Sequence, residues 1–207
     1  MASEESSPPV PVPEPIITTP RFIIRPYHEI DIHPMAALLE KSDTARYMRN
    51  TFPDPYTLKD AQDWVALVTK PDPPQKAFGI FVPLPSSSTS AGGEEVEYTL
   101  AGSIGLQPHT DVESKTWNLG YLMGEAYRGK GLMGEATTAF VRWALLERFS
   151  ETELVRLEGG VFGGNTASMK ILLKAGFKSE GVRRKAVVKK GEVLDMHVFG
   201  CLREDLV

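Results

Sequence analysis

A run of glycines between a predicted strand and a predicted helix constrains this chain more than any other feature. Residues 127–136 have the sequence Tyr-Arg-Gly-Lys-Gly-Leu-Met-Gly-Glu-Ala. They follow the apolar run Leu119 to Met123, which predicts a strand, and they lead into 137–149, whose apolar spacing predicts an amphipathic helix. Glycines let backbone N–H groups approach an oxyanion, and a helix N-terminus adds about half a positive charge. The pattern therefore predicts a phosphate-binding turn.

Two known phosphate-binding motifs can be compared with this turn. A P-loop requires Gly-x-x-x-x-Gly-Lys-Ser/Thr, but the stretch from Gly124 to Lys130 has the wrong spacing, and Gly131 follows the lysine. A dinucleotide fingerprint, Gly-x-Gly-x-x-Gly, matches residues 129–134. However, that match lies past the middle of the chain, and no clear acidic partner for a ribose follows about 20 residues later. Neither motif identifies the phosphate by itself.

Length and charge narrow the class of protein. A chain of 207 residues, 42% of them hydrophobic and 24% charged, suits one globular domain with tails. The net charge of −4 argues against a general nucleic-acid binder, which is normally basic, so we expect no nucleic-acid partner. A local basic cluster predicts a solvated strand face, with a site for an acidic ligand as the alternative. It consists of Arg183, Arg184, Lys185, Lys189 and Lys190.

Cysteine usage and hydropathy indicate the compartment. Cys201 is the only cysteine, so no internal disulfide can form, and no Cys/His cluster suggests a metal site. No apolar run reaches the roughly 18 residues that a membrane-spanning helix needs, and no secretory signal is visible at the N-terminus. We expect a cytoplasmic protein without a bound metal or a membrane partner, and the nucleus is left open as a second compartment.

Periodicity and turn residues predict one α/β domain over residues 19–207. Residues 1–18, rich in Pro and Ser, predict a disordered tail, and the stretch 83–95 predicts a flexible loop. The predicted strands are 21–25, 76–82, 96–106, 117–123, 154–161, 177–188 and 192–201, and the predicted helices are 31–41, 57–70, 137–149 and 166–174. A glycine pair at 159–160 predicts a bulge. The order β-α-α-β-β-β-α-β-α-β-β favours a mixed sheet over a Rossmann fold.

The glycine-rich turn resembles the acyl-CoA pyrophosphate loop of the GNAT (Gcn5-related) N-acetyltransferases, Arg/Gln-x-x-Gly-x-Gly/Ala. Arg128 and Gly131 match this loop, whereas Met133 stands where Gly or Ala is usual. A Met followed by Glu-Ala, here 135–136, is similar to the RimJ/RimL-like branch. Further segments resemble that branch in order along the chain: 19–26, 53–57, 101–106, 119–121, 165–168, 174–177, 180–181, Gly191 and Asp195.

This resemblance implies the GNAT fold, with a mixed central sheet of about six to seven strands and flanking helices. It also implies acetyl-CoA as cosubstrate and direct attack by an amine in a ternary complex. Two strands of the family's sheet splay apart to admit the thioester arm, so the resemblance places Leu122 and Met123 against the pantetheine. The other cofactor-binding residues it implies are Arg128, Gly129, Lys130, Gly131, Leu132, Met133, Gly134, Asn165 and Ser168.

Acetyl transfer requires one group that takes the proton of the amine and another that protonates the leaving thiolate. Many family members use a Tyr for the second task where this chain has Leu172, so similarity to RimL-like enzymes makes Ser168 the candidate acid. Glutamates that could act as the base are replaced by Asn118 and Val187. The remaining candidates are Tyr121, Asp195, His109, His197 or an ordered water.

Several of these residues also have a structural interpretation. Asn165 is favoured as a helix N-cap, a role compatible with cofactor contact if its backbone caps and its amide faces the cofactor. Asp195 could fix the register of the final hairpin. Glu135 lies in a first helical turn, where a carboxylate favours the helix dipole, and we expect a structural role. Cys201 has no motif base near it in sequence, which argues against a nucleophile.

The acceptor is expected to be a primary amine, either a protein N-terminus or a small molecule. By position, Arg46, Tyr47, Tyr56 and Arg183 are predicted to form the acceptor wall. Two rival classes remain: a non-catalytic acyl-CoA-binding or regulatory module, and a nucleotide-binding switch. The sequence is compatible with a monomer or a homodimer.

Overall fold

In the computed structural model, a mixed sheet carries two helices on each face. The structure describes residues 11–40, 43–72, 76–84 and 96–207. The strands are β1 Ile17–Thr18, β2 Ile23–Pro26, β3 Lys76–Pro83, β4 Tyr98–Pro108, β5 Thr116–Met123, β6 Arg156–Phe162, β7 Lys178–Lys189 and β8 Glu192–Leu202. The helices are α1 Ile32–Leu39, α2 Leu58–Val68, α3 Leu132–Arg142 and α4 Thr166–Lys174. The predicted element order is confirmed, with β1 added.

The eight strands lie in the order β1-β2-β3-β4-β5-β6-β8-β7. Neighbouring strands are antiparallel except β5 and β6, which run parallel. The β5–β6 pairing covers only residues 116–118 and 156–158. Beyond it β5 stays paired with β4, while β6 stays paired with β8 as far as Phe162. The sheet is therefore continuous at one end of β5 and open at the other.

Alternating residues of each strand enter two separate cores. On β2, Ile24 belongs to the core under α3 and α4, whereas Ile23 belongs to the core under α1 and α2. On β3, Ile80 and Phe81 divide in the same way. Since successive side chains of a strand point to opposite faces, this alternation assigns every strand residue near the gap to one of the two faces.

Helix α3 begins earlier than the sequence suggested. It was expected from residue 137, but it starts at Leu132, directly after Gly131, which has φ +76°. Leu132, Met133 and Ala136 are all buried in the core and are good helix formers, so packing and propensity both extend the helix toward the turn. The glycine-rich turn proper is thus shorter, and the positive end of the helix lies at Gly131.

Local signals place the other helices. Thr57 and Asp60 form a reciprocal capping box at the start of α2. Asn165 caps α4, and Gly176, with φ +97°, follows its last turn. The turn between β7 and β8 falls at Lys190 and Gly191, both with positive φ, as the predicted hairpin requires.

Three expectations need correction or fall outside the described residues. The predicted tail 1–18 includes β1, whose Ile17 pairs with Ile24 and packs on the core; residues 1–10 are not described. The glycine pair at 159–160 forms no bulge, because β6 and β8 pair there without a register shift. Most of the predicted loop 83–95, namely 85–95, also lies outside the described residues.

Candidate functional site

The open end of the sheet lies between β5 and β6. Their last paired residues are Asn118 and Glu158. Past this pair the facing edges of the two strands are not joined by a ladder, so the backbone groups of residues 119–123 that point away from β4 are available to a ligand. The splayed strands expected from the family resemblance are confirmed. The turn that follows β5 and the start of α4 both lie at this open end.

The glycine-rich turn presents a set of backbone donors. Gly129 and Gly131 have φ values of +74° and +76°, which favour glycine, and no atom lies within 4 Å of a Cβ built on either. The first helical bond of α3 is donated by Glu135 N–H to the Gly131 carbonyl at 3.1 Å. Within the described residues, no protein acceptor takes the N–H groups of Gly129, Lys130, Gly131, Leu132, Met133 and Gly134. Six free donors at a helix N-terminus suit a diphosphate.

The Arg128 side chain holds the turn in place. Its Nε donates to the Met123 carbonyl at 2.9 Å, and its guanidinium bonds Asp43 and, at 2.9 Å, the Thr44 hydroxyl. The Arg128 N–H donates to the Glu125 carbonyl at 3.2 Å, so the free donors begin at Gly129 and not at Arg128, as the sequence suggested. The side chain of Arg128 therefore positions the turn through these hydrogen bonds.

Two further contacts were not visible from sequence. Arg21 lies more than a hundred residues from the turn, yet its guanidinium donates to the Lys130 carbonyl at 2.7 Å and to Glu135 Oε2 at 2.8 Å. Glu135 thereby has a cationic partner beside the anion-binding turn, consistent with the structural role expected for it. Lys130 folds back, with Nζ 2.9 Å from the Ala126 carbonyl.

Met133 stands where the family loop usually has Gly or Ala, but its side chain does not occupy the turn. Its side chain is buried in the core under α3, as is that of Leu132. Only the backbone of Met133 contributes to the donor set. A larger residue than Gly or Ala is accommodated here because the side chain points away from the free N–H groups.

Tyr121 and Ser168 meet on the α3–α4 face of the gap. The Tyr121 hydroxyl lies 2.9 Å from Ser168 Oγ and 3.2 Å from the Ser168 carbonyl oxygen. Burial raises the pKa of the Tyr121 phenol to about 12, although its hydrogen bond with Ser168 opposes this shift. The phenol therefore keeps its proton at neutral pH. Leu172, at the position where the family often has Tyr, is buried against the sheet.

Asn165 acts as the N-cap through its side chain. Its Oδ1 accepts a hydrogen bond from the Ser168 N–H at 3.1 Å. The predicted N-cap is confirmed, and because the oxygen caps, the Nδ2 donors remain for other partners. The Asn165 cap also fixes the first turn of α4, which carries Ser168.

Asp195 holds the hairpin of β7 and β8. Its Oδ1 accepts from the Lys185 N–H at 2.8 Å, where Lys185 has φ +53° in an irregular part of β7, and its carbonyl accepts from Gly163 at 2.9 Å. His197 shares its strand face. His109 lies instead beyond the start of β5, where its ring approaches Glu113 at 3.6 Å. The geometry favours the structural interpretation of Asp195 and places His109 away from the open end.

Cys201 is completely buried and carries a free thiol. Burial raises the pKa of this thiol to about 12, so the reactive thiolate is disfavoured at neutral pH. The structure therefore gives Cys201 a core role, as the sequence suggested.

One segment, residues 43–56, crosses the α1–α2 side of the open end; we call it the strap. It begins at Asp43 and Thr44 beside Arg128, and Tyr47 Oη approaches the Gly164 carbonyl at 3.5 Å. Farther along, Asn50 Nδ2 donates to the Val188 carbonyl at 3.1 Å, and Asp54 pairs with Lys190 at 2.6 Å. The strap thus touches the glycine-rich turn, the β6–α4 loop and the hairpin tip.

The residues proposed for the acceptor wall separate on inspection. Arg46 and Arg183 are exposed, and the Arg46 guanidinium lies over the Tyr47 ring at 5.3 Å. Tyr56 is instead buried in the α1–α2 core and stacks on Phe52 at 5.4 Å between ring centroids. Tyr56 therefore anchors the end of the strap in the core and does not line an open surface.

Sequence reasoning missed Glu158. It is the β6 partner of Asn118 at the closed end of the gap, and its side chain remains 30% exposed. The Leu-Glu-Gly-Gly run was visible, but the register that places this glutamate beside Asn118 required the sheet. Across the described ranges, no helix is long and apolar enough to span a membrane, and no group of three potential metal ligands occurs.

Comparisons with known proteins agree with this geometry. A family model described as "Acetyltransferase (GNAT) domain" matches residues 21–178. "Probable N-acetyltransferase YjcK" of Bacillus subtilis (strain 168) is 38% identical over 106 residues, 51% of this chain and 56% of the relative. The match thus spans about half the length of that relative. "Uncharacterized N-acetyltransferase YoaA" of the same organism is 26% identical over 195 residues, covering 91% of this chain and 97% of the relative.

Solved structures share the fold. Mycobacterium smegmatis RimJ, determined in complex with CoA-disulfide, has a TM-score of 0.70 and 17% sequence identity, and the alignment covers 89% of this chain and 83% of RimJ. The predicted α/β fold is thereby confirmed, with eight strands in place of the expected six to seven. Because the family model matches well over half of the chain, the protein belongs to the GNAT acetyltransferase family.

Proposed function

We propose that this protein is an N-acetyltransferase that moves an acetyl group from acetyl-CoA to a primary amine. The observation that carries the proposal is the free donor set of Gly129–Gly134 at the open end of β5. A diphosphate bound there leaves the attached arm free to run along the unpaired edge of β5. This donor set combines a helix N-terminus with an open strand edge.

The chain's own residues divide the binding task. The N–H groups from Gly129 to Gly134 would hold the diphosphate, with Arg128 and Arg21 keeping the turn rigid. Backbone groups of Leu122 and Met123 would meet the pantetheine by extending the sheet. The side-chain Nδ2 of Asn165 adds a donor at the opposite wall. Acetyl-CoA supplies an activated acetyl group as a thioester.

The hydroxyl pair of Tyr121 and Ser168 is the proposed proton source for the leaving thiolate. The two oxygens are 2.9 Å apart, so a proton given up by Ser168 can be replaced from Tyr121. The raised pKa of Tyr121, caused by burial, keeps this proton available throughout the neutral range. We assign Asp195 the support of the hairpin, because its Oδ1 accepts from the Lys185 N–H at 2.8 Å.

The acceptor is a protein N-terminus or a small amine that reaches the gap past the strap. We place Tyr47, Arg46 and Arg183 at this entrance, because Tyr47 contacts the β6–α4 loop and both arginines are exposed. The free, buried Cys201 suits a reducing cytoplasm. The protein would work as a monomer or a homodimer.

Thiol release from acetyl-CoA, measured with a panel of amines, tests this proposal. The panel should include short peptides with free N-termini, amino acids, polyamines and aromatic amines. Amine-dependent release of CoA together with acetylated product by mass spectrometry is expected. Calorimetric binding of acetyl-CoA without turnover on any amine would instead identify a non-catalytic acyl-CoA-binding module. Binding of ATP in preference to acetyl-CoA would favour a nucleotide switch.

A further inference from the structure

The closed end of the gap carries a carboxylate on the α1–α2 face. In the parallel β5–β6 ladder, Trp117 pairs with Leu157, and both are buried under α3 and α4. The next pair, Asn118 and Glu158, must therefore point to the opposite face, since side chains alternate along a strand. Leu122, four residues along from Asn118 on β5, packs on the α1–α2 core and confirms this direction.

The surface beyond this pair is open on β5, because that strand carries no side chain there. Gly120 is the next residue after Asn118 on this face of β5, and Gly160 is the next after Glu158 on β6. Both glycines are exposed, and nothing lies within 4 Å of a Cβ built on Gly120. On β6 the Met196 side chain covers part of this surface, with its Sδ 3.0 Å from a Cβ built on Gly160, so a small group can lie over Gly120 with the Glu158 carboxylate beside it.

The charged neighbours of Glu158 leave its carboxylate available. Arg156 Nη2 is 3.8 Å away, but this guanidinium is engaged by both oxygens of Glu180 on β7, one of them at 2.6 Å. The directly opposed residues on the flanking strands, Asn118 on β5 and Gly200 on β8, do not titrate. Among the described residues, no group donates a full hydrogen bond to Glu158.

We propose that Glu158 is the catalytic base of this protein, an inference that rests on the proposed acetyltransferase function. The acceptor enters as an ammonium ion over Gly120 and gives one proton to the Glu158 carboxylate. The freed lone pair forms the N–C bond to the acetyl carbon, and the C–S bond breaks. The thiolate takes a proton from the Ser168 hydroxyl, which is reprotonated by Tyr121 and then from water, and the second proton of the nitrogen passes to water.

This assignment places the two proton-transfer groups on opposite faces of the sheet. Glu158 lies on the α1–α2 face, whereas Tyr121 and Ser168 meet on the α3–α4 face. In the tetrahedral intermediate of thioester aminolysis the nitrogen and the sulfur are separate substituents of the acetyl carbon, so one group can take the proton of the nitrogen while another protonates the sulfur. Asn118, which replaces a usual glutamate on β5, is therefore compensated by its direct neighbour on β6.

The test compares the wild type with Glu158→Gln, and with Glu113→Gln as a matched control on an exposed carboxylate. The probe is the amine that the wild type acetylates fastest within the panel above. Glu158→Gln should lower kcat about 100- to 10,000-fold at pH 7, as expected for loss of a general base. The loss should shrink as pH approaches the pKa of the amine, because the free amine then needs no base. Glu158→Asp should recover part of the rate, while the affinity for CoA, measured by calorimetry, stays unchanged.

The outcomes separate the two proposals. Wild-type turnover together with an undiminished rate for Glu158→Gln across the pH range would overturn the assignment of Glu158 alone. A loss that is the same at every pH, with weakened CoA binding, would show that Glu158 only supports the fold and would also overturn it. Failure of the wild type to acetylate any amine would overturn the proposed function, and this inference with it.

Discussion

The Tyr121 hydroxyl on β5 lies 2.9 Å from the Ser168 hydroxyl on α4. This contact joins a strand that borders the gap to the first turn of the helix that faces it. Many family members carry a tyrosine in this helix where this chain has the buried Leu172. Here the phenol of Tyr121 reaches the same region from β5 instead. The pair thus connects the contact between β5 and α4 with the proposed protonation of the leaving thiolate.

The hydroxyl pair should act as a unit. Ser168→Ala is expected to lower kcat about 100-fold, at the low end for a general acid, and Tyr121→Phe should lower kcat less because Ser168 remains. Steady-state kinetics of the double variant should show an effect well below the product of the two single effects. Strictly multiplicative losses would contradict a shared proton path. CoA affinity should not change in any of the three.

Two glycines of the turn should respond differently to alanine. Gly131 has φ +76°, so Gly131→Ala introduces strain of about 1–2 kcal/mol or rotates the N–H groups away from a common point. CoA affinity, measured by calorimetry, should fall about tenfold or more for a loss of this size. Gly134→Ala is the matched control: its φ is not positive, and the Lys174 side chain is 3.9 Å from the added carbon. An equal loss in both variants would argue against the proposed role of the turn.

CoA binding should depend on the hydrogen-bonding geometry of the Arg128 guanidinium more than on its charge. Arg128→Lys keeps the charge but cannot bond the Met123 carbonyl, Asp43 and Thr44 together. We expect weaker CoA binding and a lower Tm in this variant. Lys130→Ala removes a neighbouring charge that donates to the Ala126 carbonyl and lies over the Tyr127 ring, and it should have a smaller effect on both measurements. Full retention of CoA affinity by Arg128→Lys would show that charge alone suffices.

Variants of the acceptor entrance should change substrate preference without changing CoA affinity. Tyr47→Ala removes the contact with Gly164, and Arg183→Ala removes an exposed charge on β7, so both should alter the ratio of kcat/KM values between peptide and small amines. Tyr56→Ala should act differently, because Tyr56 is buried: unfolding free energy should fall by about 3 kcal/mol, as for other large aromatic truncations. Denaturant unfolding separates these effects from acceptor kinetics.

The fold should lose stability at high pH. Burial raises the pKa of Tyr56, Tyr121 and Cys201 to about 12 each, above ordinary values of 10 for tyrosine and 9 for cysteine. Between pH 9 and 12 the unfolded chain therefore binds fewer protons than the native chain, and the stabilisation present below pH 9 is lost as pH rises. Each group should contribute on the order of 1 kcal/mol or more. A Tm that stays constant from pH 8 to 11 would contradict this. Tyr121→Phe should reduce the slope.

Local patterns predicted most of the fold because each rests on neighbouring residues. The capping box of Thr57 and Asp60, the cap at Asn165 and the helix end at Gly176 all formed as expected. The start of α3 was missed because the buried side chains of Leu132 and Met133 extend the helix into a segment that composition alone assigns to the turn.

From the sequence, the candidate site could be predicted only where its residues form a local motif. The glycine-rich turn was found from its own residues, but Arg21 reaches the turn from more than a hundred residues away, and no sequence spacing announces that contact. Glu158 was missed for a related reason. Its proximity to Asn118 depends on parallel strand register, which is set by packing of the whole sheet and not by any local pattern.

Close packing of α4 on β6 has a consequence for the gap. Because no hydrogen bonds cross between β5 and β6 after the third pair, the backbone does not dictate how far apart the strands stand there. On β6, Leu172 of α4 approaches Gly159 so closely that a Cβ there would lie 2.8 Å from its Cδ1. Any side chain at position 159 would therefore push α4 away from β6, and with it the helical turn that carries Ser168.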